Sequence, residues 1–143
     1  MRVFSVVAMS LCLLLGTVLA SSAGAEGKMK VVYHVSDAEK VDFVLNNIRN
    51  HIEGVGGPEN VEIILVAHGP ALKRFHDIEA TDKVRETVSA LQKDGVEFDA
   101  CGNTMRAQGV DLDGLLPGMV KVDQGGVVRI AELQSQGYIY IRP

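Results

Sequence analysis

"VEIILVAH", Val61 to His68, is an apolar run broken only by Glu62 and the terminal His68. A strand with one wet face alternates apolar and polar residues, whereas an unbroken run is covered on both faces, as in the interior of a parallel sheet. Parallel neighbours cannot be joined by tight turns and need long crossovers, usually helical. The reading of this stretch therefore depends on helical patterns before and after it, and both are present.

Upstream, "KVVYHV" (Lys30 to Val35) has the length and β-branched content of a strand. Asp37 is placed to cap a helix in which Val41, Val44, Leu45, Ile48 and Ile52 share one face. "GVGGPEN" (Gly54 to Asn60) ends that helix. Its glycines follow a helix rather than a strand, so they read as a C-terminal stop and not as a phosphate cradle. Downstream, the loop "GPALKRFHDIEA" leads to a helix over Asp82 to Lys93 that buries Val84, Val88 and Leu91. Gly95 precedes a third strand, "VEFDA", and a turn or short helix starts at Asn103. A fourth strand, "LPGMVKV" (Leu116 to Val122), a helix through "VVRIAELQSQ" and a last strand, "YIYI" (Tyr138 to Ile141), complete the chain. The expected fold is α/β: one compact domain with a mainly parallel, five-stranded sheet, helices on both faces and flavodoxin- or Rossmann-like layering.

The chain opens with Arg2, an apolar stretch from Val6 to Leu19 and "SSAGAEG". A basic start, an apolar centre and an A-x-A site at Ala23 to Ala25 read as a secretory signal peptide over residues 1–25, with cleavage after Ala20 as the alternative. The apolar run is short for a membrane span. Leu11 rather than a small residue precedes Cys12, which argues against a lipoprotein anchor. The expectation is a periplasmic domain over 26–143, with no membrane span once the signal is removed and Cys12 discarded with it. The formal charge is −4, made more negative by loss of Arg2, and no basic cluster occurs. Nucleic acid and anionic membrane surfaces are therefore not expected partners. No nucleotide, flavin or haem signature is present, so no cofactor is expected.

In open α/β sheets, binding and reactive groups gather beyond the carboxyl ends of the strands. Cys101 follows the third strand, His34 lies near the end of the first, and His68 ends the second, followed by Gly69. Cys101 reads either as a small hydrophobe at a strand end or as a thiolate. For the thiolate, Gly102 allows close backbone approach, and Asn103 or Thr104 is placed to cap the next helix and present N–H donors. A metal site from His34, His68 and Cys101 has no local ligand spacing behind it, and no metal ligand is assigned. Lys73 and Arg74 fit an ordinary solvated loop better than a thiolate-supporting role. No Ser–His–Asp or Cys–His–Asn arrangement can be assembled.

Four stretches, "KVVYHVSD", "VEIILVAHGPAL", "VEFDACGNTMRAQGV" and "LLPGMVKVDQGGVVRIAELQSQGYIYIRP", together resemble the DsrE/DsrF-like group. Cys101 with Gly102, Asn103, Thr104 and Met105 after it, and the ending "LQSQGYIYIRP", are the most specific parts. The resemblance implies a compact α/β domain assembled into trimers or hexamers. It implies that Cys101 accepts sulfane sulfur as a persulfide and passes it on, with His34, His68 and Gly69 lining the site. Relay members work in the cytoplasm, so their partners do not carry over to an exported chain, and the sulfur donor and acceptor are unidentified. The other reading is an oligomeric module of the same fold that binds a small molecule or metal without a covalent step. The final strand agrees with assembly, since Tyr138 and Tyr140 alternate with Ile139 and Ile141 along an edge that another chain would cover.

Overall fold

In the computed structural model, which describes residues 27–143, the strands are β1 (Met29–Val35), β2 (Val61–Ala67), β3 (Glu97–Cys101), β4 (Met119–Val122) and β5 (Ile139–Ile141). The helices are α1 (Val41–Gly54), α2 (Asp82–Lys93), α3 (Gly102–Gln108) and α4 (Gly126–Ser135). The expected signal peptide and Cys12 lie outside the described residues.

The sheet is five-stranded and parallel throughout, in the order β4-β3-β2-β1-β5. β2 is its centre, as the nearly continuous apolar run predicts. The first three connections all step the same way across the sheet and carry α1, α2 and α3. The fourth steps back over three strands and carries α4. Right-handed crossovers place helices of opposite step on opposite faces. Accordingly Val44, Ile48, Val88, Leu91 and Met105 pack with Val31, Tyr33, Leu65 and Phe98 on one face. Ile130, Leu133 and Tyr138 pack with Val32, Ile64 and Val66 on the other. Adjacent β3 and β4 therefore send their chains to opposite faces of the sheet.

Local departures from the sequence reading have physical causes. Asp37 makes no side-chain cap; a 3-10 turn, Ala38–Lys40, intervenes, and Lys40 takes the N-cap position of α1. The stretch after β2 coils into a 3-10 segment, Gly69–Phe75, because Ala71, Leu72 and Phe75 all find core positions. β4 starts at Met119 rather than Leu116, since Pro117 lacks an N–H and Gly118 turns the chain at φ +81°. Tyr138 precedes β5 and is buried, its hydroxyl donating to Glu62.

Candidate functional site

Register decides which side chains meet at the carboxyl edge. His34 pairs with Val66, and Ala67 with Ala100, so His68 and Cys101 come side by side just beyond those pairs. Alternation puts His34, His68 and Cys101 on the face that α4 covers, opposite Val35, Ala67 and Ala100. The three groups picked out in the sequence thus share one edge and one face. Gly126, the first residue of α4, sits between two of them. A Cβ built on it would lie 3.3 Å from Cys101 Cβ and 3.5 Å from His68 Cβ.

Cys101 is the last residue of β3 and itself the N-cap of α3, so neither Asn103 nor Thr104 caps that helix as expected. The helix can begin directly because Gly102 lets β3 pass close to the end of β4; a Cβ there would come 2.9 Å from the Val122 carbonyl oxygen. Cys101 is buried, at 6% exposure. Burial alone pushes a thiol up, but hydrogen bonds from the Thr104 hydroxyl and from the backbone N–H groups of Gly126, Thr104 and Asn103 outweigh it. The thiol is therefore held below its ordinary value. Thr104 is oriented for this, since its hydroxyl oxygen accepts from the Gly69 N–H at 3.0 Å and leaves its own proton for the sulfur. Gly69 thus enters the site through its backbone.

His34 and His68 meet through their Nε2 atoms at 2.5 Å, and His34 Nδ1 lies 2.7 Å from the Tyr140 hydroxyl. The ring centroids are 4.6 Å apart, so the rings meet end to end rather than face to face. Burial, then His68, then Arg142 push His34 down to about 4, against the opposing pull of Asp37. His68 is lowered by burial and by Arg142, again against Asp37. Arg142 is itself engaged, donating to Ser36 Oγ at 2.8 Å and pairing with Asp37 at 3.5 Å.

Among the described residues no group of three His, Cys, Asp or Glu side chains is placed to hold a metal ion. The imidazole nitrogens spend themselves on each other, at 2.5 Å, whereas two ligands of one tetrahedral zinc lie about 3.3 Å apart. Lys73 and Arg74 are not brought to the sulfur. Arg74 pairs with Asp42 at 2.7 Å, and Lys73 lines an open groove of about 610 Å³ alongside Gly69, Asn103 and Thr104.

Three contributors were not foreseen from sequence: Gly126, Tyr140 and the Arg129–Asp99 pair beneath α4. The double glycine in "DQGGV" was the available signal for the first, as glycines between a strand and a helix let backbone donors approach a ligand closely.

A family model described as the DsrE/DsrF-like family matches residues 29–143. Among solved structures, the protein of unknown function MTH1491 from Methanobacterium thermoautotrophicum is 34% identical, with 81% of this chain and 100% of that one covered and a TM-score of 0.71. The ychN protein of E. coli is 15% identical, with 80% and 99% covered and a TM-score of 0.65. BT1422 from Bacteroides thetaiotaomicron, a conserved protein of unknown function, is 14% identical, with 80% and 94% covered and a TM-score of 0.60. The last two likenesses concern the fold alone. No curated protein matches the chain.

Proposed function

The chain belongs to the DsrE/DsrF-like family, generally linked to sulfur relay, and from that membership we propose that Cys101 carries sulfane sulfur as a persulfide. The observation that carries this reading is the close approach of the glycine backbone at the start of α4 to one buried cysteine: a Cβ on Gly126 would lie 3.3 Å from Cys101 Cβ, and one on Gly125 4.0 Å from its Sγ. In loading, the Cys101 thiolate attacks the outer sulfur of a donor persulfide. The donor S–S bond breaks, its inner sulfur leaves as a thiolate, and the outer sulfur, with its proton, stays on Cys101. In unloading, an acceptor thiolate attacks that outer sulfur and Cys101 leaves as the thiolate. No net oxidation occurs in either step, and a thiolate that is stabilised in place is both the nucleophile of the first and the leaving group of the second.

Cys101 is the one free cysteine among the described residues, so a second thiol in the same domain does not discharge the cargo as an intramolecular disulfide. We further propose that the protein is exported and works as a homo-oligomer, a trimer or hexamer. The supports are the N-terminal sequence and the short β5 edge, where Ile139 is 54% exposed.

Incubation with polysulfide, followed by intact-mass analysis under non-reducing conditions, tests the reading. The native protein should gain the mass of one sulfur atom, reversed by a thiol reductant, and Cys101→Ser should fold and gain none. Equal gain by Cys101→Ser, or none by the native protein, would overturn it.

A further inference from the structure

Resting on the persulfide reading, we propose that Tyr140, His34 and His68 form a proton relay for Cys101, taking the proton of an incoming acceptor thiol and, after Cys101 has left as the thiolate, returning one to that sulfur. Two uncharged imidazoles in contact through their Nε2 atoms share a single proton, because one must donate and the other accept. His34 Nδ1 is bound in turn to the Tyr140 hydroxyl, which fixes the two arrangements that the chain of bonds can take.

In the first, His68 Nε2–H donates to His34 Nε2, His34 Nδ1–H donates to the Tyr140 oxygen, and His68 Nδ1 carries a bare lone pair. In the second, Tyr140 O–H donates to His34 Nδ1, His34 Nε2–H donates to His68 Nε2, and His68 Nδ1 bears the proton. Passing from the first to the second takes up a proton at His68 Nδ1 and releases one from the hydroxyl of Tyr140, a residue 39% exposed. No charge remains on the buried pair. The charged groups beside it, Asp37 and Arg142, are paired with each other at 3.5 Å and leave the relay uncharged.

His68 stands on the same edge as Cys101, the two flanking Gly126. Transfer from a neutral thiol, R–SH plus Cys101–S–SH giving R–S–SH plus Cys101–SH, moves one proton from the acceptor sulfur to the cysteine sulfur. The first arrangement accepts the former, and the return from the second supplies the latter. Thiols are mostly protonated at neutral pH, so deprotonation of the acceptor at the site accelerates transfer.

The test uses the mature protein loaded by polysulfide, with 2-mercaptoethanol as acceptor. At about pH 7, His34→Gln and Tyr140→Phe should each slow sulfur loss by about 10-fold or more. The final extent of loading, read as mass gain at completion, and the pH profile of Cys101 alkylation should stay as in the native protein. The deficit should close once the pH exceeds the pKa of the acceptor thiol, which then arrives already ionised. Native rates in Tyr140→Phe at about pH 7, or a deficit that persists at high pH, would overturn the relay.

Failure of the native protein to gain sulfur would count against the carrier reading instead, and the relay is then decided by imidazole 15N spectra. Two interconverting neutral tautomers of His68, reduced to one in Tyr140→Phe, support it. One fixed tautomer in the native protein refutes it.

Discussion

Arg129 Nε donates to Asp99 Oδ2 at 2.7 Å and ties the helix that supplies the Gly126 N–H to the strand that ends in Cys101. Its Nη2 reaches Glu97 at 3.0 Å. Asp99 is 0% exposed and its Oδ1 has no partner, so the guanidinium is the main compensation for burying this carboxylate. Removing one member of such a pair strands the other. Arg129→Met should lower stability by about 3–5 kcal/mol, measured by urea unfolding, and Asp99→Asn in the same chain should restore more than half of the loss. A loss well under 1 kcal/mol would show that the pair does not anchor α4.

Thr104 is the side chain with most leverage on the sulfur. Valine there keeps the shape but removes both the hydroxyl donor to Cys101 and the acceptor for the Gly69 N–H. Iodoacetamide alkylation of Thr104→Val at about pH 7 should slow by roughly 10-fold, with the native rate recovered at higher pH. Because Cys101 is buried, the shape of the pH profile is the readout and not the absolute rate. An unchanged profile would remove Thr104 from the thiolate shell.

Acid stability should carry two opposing signatures. Burial, with His68 and Arg142, pushes His34 from 6.5 to about 4, so the unfolded chain binds more protons between those values. The contribution of His34 is complete above pH 6.5 and is lost as the pH falls towards 4. Asp99 acts the other way. Burial raises it from 3.8 to about 6 despite the Arg129 hydrogen bond, so the native state gains stability as the pH falls below 6. His34→Gln should flatten the loss of stability between about pH 7 and about pH 5, and Asp99→Asn should steepen it. Urea midpoints at the two pH values decide both signs.

Much of this was legible in the chain. The run from Val61 to Ala67 fixed a central parallel strand, and strand-end positions alone brought His34, His68 and Cys101 to one edge. Gly126, Tyr140 and Arg129 were hidden for one shared reason: each depends on the step from β4 back over three strands to β5. That step brings Tyr140 beside β1 and α4 across the open face, and no local residue pattern encodes it. Asp37 was misread because capping chemistry is local, while the 3-10 turn before α1 belongs to the packing of the segments around it, including Ala71, whose N–H bonds the Ser36 carbonyl.

The N-terminal segment has its own test. Protein recovered from the periplasmic fraction should lack residues 1–20 or 1–25 by intact mass, as expected from Arg2, the apolar stretch and "SSAGA". Full-length chain recovered from washed membranes would favour an anchor instead.

Assembly is checked by light scattering. β5 is three residues long and offers its outer backbone groups at the sheet edge beside exposed Ile139. A mass of three or six chains is expected at micromolar concentration. A monomer there would leave the edge uncovered and remove the expectation.

The two layers flanking the sheet are unequal. Three helices and a 3-10 segment cover one side, while on the other the buried cluster has only Ile130 and Leu133 of α4, with Tyr138 after it, packed onto Val32, Ile64 and Val66. Segments with few buried contacts detach at lower free energy than the whole domain unfolds. Detachment of α4 would uncover the Cys101 sulfur and, in the same motion, withdraw the Gly126 N–H that helps to hold the thiol below its ordinary value. Exposure and reactivity are thereby set against each other: a stray reagent that catches the helix ajar meets a poorer nucleophile, whereas a partner that enters without lifting α4 meets the better one.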